Sequence, residues 1–166
     1  MKKLAAGVSL LVALTAVAVY AQQGNDDIVR QMKDRAEIED LMWRYTRALD
    51  TRNGDAYAAV YTEDGQFSAG TNVTKGRDAL RKMVADMNTS GTAATTRAPM
   101  YHMTMNPRVT FVDRDRARID AYFMTAFGPA GQTPLRVAAV GRSVDELVRQ
   151  NGKWLIRSRN VAPQQE

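Results

Sequence analysis

MYHMTMNPRVTFVDRDRARIDAYFMTAF, residues 100–127, holds two runs of two-residue alternation on either side of the turn signal DRD. That period puts successive side chains on opposite faces, so each run reads as a strand and the pair as a hairpin. Two more runs follow, PLRVAAVGRSVDELVRQ (134–150) and KWLIRSRNV (153–161). The Asn-Gly of QNGK makes the last connection a tight turn, while GPAGQTP is a longer, looser one.

Upstream the period changes. In DDIVRQMKDRAEIEDLMWRYTRALDTRNGD (26–55), Ile28, Met32, Ile38, Leu41, Met42, Tyr45 and Leu49 recur at three- and four-residue steps, opposite a charged face. This is the pattern of a long amphipathic helix begun by Asp26 and Asp27 and ended at TRNGD. Asp55 is placed to cap a second helix through AYAAVYTED (56–64). GQFSAGTNVTKG (65–76) reads as a loop with a short strand pair, and RDALRKMVADMNTS (77–90) as a third helix with Leu80, Met83, Val84 and Met87 on one side. GTAATTRAP (91–99) is a small-residue loop. Helices first and an antiparallel sheet after them indicate an α+β fold: three N-terminal helices packed on a curved sheet, forming a cone with an apolar interior suited to a small ligand.

The first residues are set aside. MKKLAAGVSLLVALTAVAVYA has a basic start at Lys2 and Lys3, an apolar run, and small residues near Ala21. That is the layout of a secretory signal peptide (1–21), cleaved to leave a single domain at 22–166 with no stable membrane anchor, periplasmic or secreted. Cleavage lowers the formal charge from +5 to +3, too little to call for nucleic acid. The chain has no cysteine and one histidine, so thiol catalysis is absent and the usual Zn and non-haem Fe sites lack ligands. No P-loop, GxGxxG turn or G-x-S-x-G elbow occurs. The arginines at 114, 116, 118, 136, 142, 157 and 159 lack the interleaved aromatics of a nucleic-acid surface and read as a solvated sheet face. Whether Arg157 or Arg159 enters the cavity stays open, and Trp43 and Trp154 read as packing residues.

The single histidine, His102, shares one face of its strand with Thr104 and Asn106 by the period of two, while Tyr101, Met103 and Met105 take the other. Pro107 implies an edge or a bulge just beyond. On the first helix, Tyr45 and Asp50 end the apolar stripe. Asp50 faces the unfavourable end of the helix dipole, which asks for a compensating partner, His102 or a local Arg47 or Arg52.

The order IEDLMWRYTRALDTRNGDAYAAVYTEDGQF…KGRDAL…YHMTMNPRVTFVDRDRARIDAYF…GKWLIRSRNV resembles the SnoaL-like branch of the NTF2-like superfamily, from about Asp34 to Val161. It is most similar to the dehydratase-type members, such as scytalone dehydratase, hexachlorocyclohexane dehydrochlorinase and bile-acid 7α-dehydratase. The resemblance implies an aspartate–histidine pair at Asp50 and His102, a strand amide at Asn106 and a helix-one tyrosine at Tyr45. The second histidine of scytalone dehydratase has no counterpart here. The implied activity is that of a cofactor-free, metal-free lyase or isomerase acting on a small hydrophobic molecule, in a homodimer or homotrimer. An exported small-molecule-binding protein and an assembly subunit are the alternatives.

Overall fold

The computed structural model describes residues 2–89, 98–128 and 136–163, with side chains at residue 22 and from residue 24 on. The expected leader therefore lies outside the described side chains, and most of the two small-residue loops lies outside the described residues altogether. Among the described residues three helices, α1 (Lys2–Asp50), α2 (Gly54–Ala59) and α3 (Arg77–Asp86), combine with six strands. The strands are β1 (Tyr61–Ala69), β2 (Asn72–Lys75), β3 (Met100–Phe111), β4 (Arg116–Phe127), β5 (Arg136–Gln150) and β6 (Lys153–Asn160). The chain divides into two compact units, residues 1–37 and 38–166.

In the first unit, Arg30 bridges Asp27 at 3.1 Å and Asp34 at 3.4 Å along the helix. Ile28 and Met32, expected in the apolar stripe, are exposed. A helical period predicts the helix itself, and burial of the stripe requires something packed against it.

In the second unit the stripe is core: Ile38, Leu41, Met42, Tyr45 and Leu49 pack with Leu80 and Val84 of α3 and with Ile119, Leu147 and Ile156 of the sheet. Trp43 departs from expectation and is exposed. One residue on from Met42 turns it about 100° off the buried face. Trp154 is buried, with its ring centroid 6.2 Å from that of Phe111.

The sheet order is β2-β1-β6-β5-β4-β3. Four of its five pairings are antiparallel, and β1–β6 is parallel, so the sheet is mixed rather than wholly antiparallel. The expected helix over 56–64 also stops early. Asn53, not Asp55, caps α2 by accepting from the Ala56 N–H at 3.0 Å, and the chain turns into β1 at Tyr61. Val60, Tyr61 and Thr62 are β-formers. Pairing with β6 gives them ladder partners: the Ile156 N–H donates to the Val60 carbonyl at 2.9 Å. The Asn151-Gly152 turn has φ of 51° and 75°, the two positive values a type I′ hairpin turn needs.

Two bulges decide which side chains of β3 and β6 reach the interior. Between Met105↔Tyr122 and Arg108↔Asp120, β3 carries one residue more than β4, with Asn106 at φ 50°. Between Glu146↔Ser158 and Leu147↔Ile156, β6 carries an extra residue, Arg157. Each extra residue reverses the in–out parity of the strand beyond it.

Candidate functional site

Asp50 closes α1 where the exposed carbonyls of a helix end repel a carboxylate. His102 supplies the compensation. Its backbone N–H donates to Asp50 Oδ1 at 2.9 Å, and its ring Nδ1 lies 3.0 Å from the same oxygen. An ionised carboxylate only accepts, so the neutral ring carries its proton on Nδ1 and keeps its lone pair on Nε2. Arg47 stands 3.8 Å from the other carboxylate oxygen and is half exposed, a looser partner. Arg52 turns away and donates to the Ala98 carbonyl at 2.8 Å. Both side chains of the pair are largely covered, at 19% exposure for His102 and 12% for Asp50. Burial is the largest influence on His102 and pulls its pKa below the ordinary 6.5, against the opposing pull of Asp50.

His102 borders a cavity of about 240 Å³ whose wall is otherwise mostly apolar, including Leu49, Phe67, Met83, Met87, Phe123 and Met124. Tyr45 and Thr104 line it too, as the strand and helix patterns suggested. Met103, assigned by alternation to the opposite face, also touches it. Asn106 does not. It is exposed in the β3 bulge, outside the lining, because Asn106 supplies the left-handed residue of the bulge instead of continuing the inward face.

Sequence reasoning left one cavity residue undecided and missed its partner. Arg159 lines the cavity, almost wholly buried, and Arg157 is exposed. Straight alternation from Trp154 and Ile156 would have sent Arg159 outward; the extra residue Arg157 turns it in. Its guanidinium pairs with Asp145, which is fully buried, and lies 4.5 Å over the Tyr45 ring. Asp145 shares the parity of the buried Ser143 and Leu147 on β5, a signal visible in the sequence. Burial, outweighing the attraction of Arg159, pushes the Asp145 carboxyl up to about 6.

Three phenols cluster here, of which Tyr45 and Tyr57 line the cavity. Tyr45 and Tyr57 stand 5.4 Å apart by ring centroid, Tyr57 and Tyr61 5.2 Å, and the Tyr57 and Tyr61 hydroxyls share a hydrogen bond of 2.9 Å. Burial raises all three pKa values, so the hydroxyls stay protonated. Among the described residues no three metal-binding side chains gather. A neutral imidazole whose Nε2 has no partner among the described residues, set in an apolar cavity that also holds a guanidinium and a phenol, can take a proton from carbon and stabilise charge developing on a nearby oxygen or halogen.

The family model described as a SnoaL-like domain matches residues 30–160. No curated protein matches the chain. Solved structures share the fold at low identity. Rv3472 of Mycobacterium tuberculosis, a protein of unknown function, is 24% identical with a TM-score of 0.70, over 84% of this chain and 76% of that one. A candidate scytalone dehydratase from Novosphingobium aromaticivorans is 22% identical with a TM-score of 0.65, covering 79% and 84%. A protein from Catenulispora acidiphila in complex with S-DNPA is 23% identical with a TM-score of 0.65, covering 77% and 91%.

Proposed function

The chain belongs to the SnoaL-like family, and on that premise we propose that it is an exported lyase or isomerase that removes a proton from carbon without a cofactor. The observation that carries this reading is the His102 ring, held through Nδ1 by Asp50 at 3.0 Å in the wall of a small apolar cavity. In an elimination, Nε2 takes a proton from a carbon beside the leaving group. The C–H electrons form the new double bond, and the leaving group departs with its own pair. Asp50 holds the ring and stabilises the imidazolium that forms. Arg159 and the protonated Tyr45 hydroxyl steady the negative charge on the departing or carbonyl oxygen. If the proton returns at another carbon, the same parts perform an isomerisation.

The substrate is small and largely hydrophobic. A dry cavity of about 150 Å³ is enough for benzene, so 240 Å³ suits a ring with substituents. The fold neighbour holding S-DNPA supports a small organic ligand.

The test is turnover of a panel of small β-hydroxy and β-halo carbonyl compounds by the wild type, His102→Ala and Asp50→Asn. His102→Ala should lower kcat about 10²–10⁴-fold, the share a positioned base supplies. Equal turnover by wild type and His102→Ala overturns the assignment. A second reading, a binding protein using the same cavity, is favoured instead if the wild type binds these compounds with no turnover and His102→Ala binds them equally well.

A further inference from the structure

We infer that Asp145 sets the class of ligand, making the cavity select neutral molecules with a hydrogen-bond acceptor over carboxylates of the same shape. The inference rests on the ligand cavity of the proposed function and not on its chemistry. Arg159 is the one permanently charged side chain among the described residues lining that cavity, and by itself it would be an anion receptor. It is not by itself. Asp145 faces it as an ion pair, with the carboxylate 0% and the guanidinium 3% exposed.

Charge bookkeeping then disfavours an anion. Inside the protein Asp145 already neutralises Arg159, and Asp50 lies just behind His102. A carboxylate entering this space gives up its hydration and finds no unmatched positive charge to replace it. A carbonyl, hydroxyl or halogen has far less hydration to lose. It needs only a donor, and Arg159, which lines the cavity, has more N–H groups than its pairing with Asp145 through one terminal nitrogen engages. Asp145 Oδ1 is buried without a partner, so the pair is closed on one edge only. Tyr45, stacked under the guanidinium, blocks one of its faces.

Acetophenone and benzoate test this, being alike in shape and unlike in charge. Binding is measured by NMR titration at about pH 7.5, where benzoate and Asp145 are both ionised. The wild type should bind acetophenone on the order of tenfold or more tightly than benzoate. Asp145→Asn leaves Arg159 a lone buried cation, and the order should reverse. Benzoate binding to the wild type as tightly as acetophenone overturns the inference, as does a folded Asp145→Asn protein with the wild-type order, or a wild type that binds neither compound. If Asp145→Asn does not fold, the charge-free Asp145→Leu/Arg159→Met double variant replaces it. That variant should still reject benzoate and should lose affinity for acetophenone, and retained acetophenone affinity overturns the inference. His102→Ala should keep the wild-type order, so a failure of the catalytic reading leaves this result standing and distinguishable.

Discussion

At the scale of single residues the proposed reaction turns on His102 and Asp50, and pH is the variable that reads them. Proton removal needs the neutral ring. Because burial holds the His102 pKa below 6.5, activity should be level above that value and fall along a limb whose midpoint lies below it. The stability effect has the same sign. Between the folded and unfolded pKa values the unfolded chain binds the proton and the folded one does not, so His102's contribution is complete above 6.5 and is lost as pH falls through the folded pKa. Asp145 runs the other way. With its carboxyl raised from 3.8 to about 6, the folded state binds the proton more tightly, so stability from this group is complete below 3.8 and is lost as pH rises through 6. Thermal melts across pH should therefore show opposing slopes, and Asp145→Asn should remove the second while leaving the first. A melting curve unchanged in shape by that substitution would contradict the raised Asp145 pKa. The Asp50–His102 contact was legible through the family resemblance, whereas the residues by themselves left the partner of Asp50 open among His102, Arg47 and Arg52. Arg159 was not, since one extra residue at Arg157 reverses the parity on which any such reading depends.

Elements meet the site through close approaches and bulges, and two substitutions isolate these. Gly54 starts α2 against α3, where a Cβ would lie 2.5 Å from the Arg81 carbonyl oxygen. Gly54→Ala must push the two helices apart and should cost about 1–3 kcal/mol, as overpacking does, seen as a lower denaturant midpoint with an unchanged slope. Asn106 at φ 50° supplies the left-handed residue of the β3 bulge. Asn106→Gly should leave stability and turnover near wild type, and Asn106→Val should cost roughly 1–3 kcal/mol of strain. A large fall in turnover with Asn106→Gly would return Asn106 to the active site. Strands β3 to β6 were legible because alternation and Asn-Gly chemistry are local signals. The parallel pairing of β1 with β6 was not. It joins segments about ninety residues apart, Ser68 facing Asn160, and no local pattern encodes such a contact. For the same reason AYAAVYTED looked helical through Asp64: its strand character comes from its neighbour β6.

For the whole molecule, the described residues of the candidate site all fall in the unit 38–166. The buried core cluster runs from Ile38 to Ile156, and Asp50, His102, Asp145 and Arg159 all lie after residue 37. We propose that residues 1–21 are a leader removed on export, so that the mature protein keeps all the described core and cavity residues. The full chain expressed in a Gram-negative host should appear in the periplasmic fraction, with Gln22 as its first residue by intact mass. A chain begun at Gln22 and made directly in the cytoplasm should match it in melting temperature and in ligand binding, because no cysteine pair has to form outside the cell. Cytoplasmic retention of an uncut chain would end the export proposal. A lower melting temperature of the protein begun at Gln22 would count against it equally. Sedimentation of the same sample reads the subunit number. Tyr122 and Val140, exposed on neighbouring strands β4 and β5, supply apolar surface for self-association, so a dimer or trimer is the expected species and a monomer at high concentration would refute it.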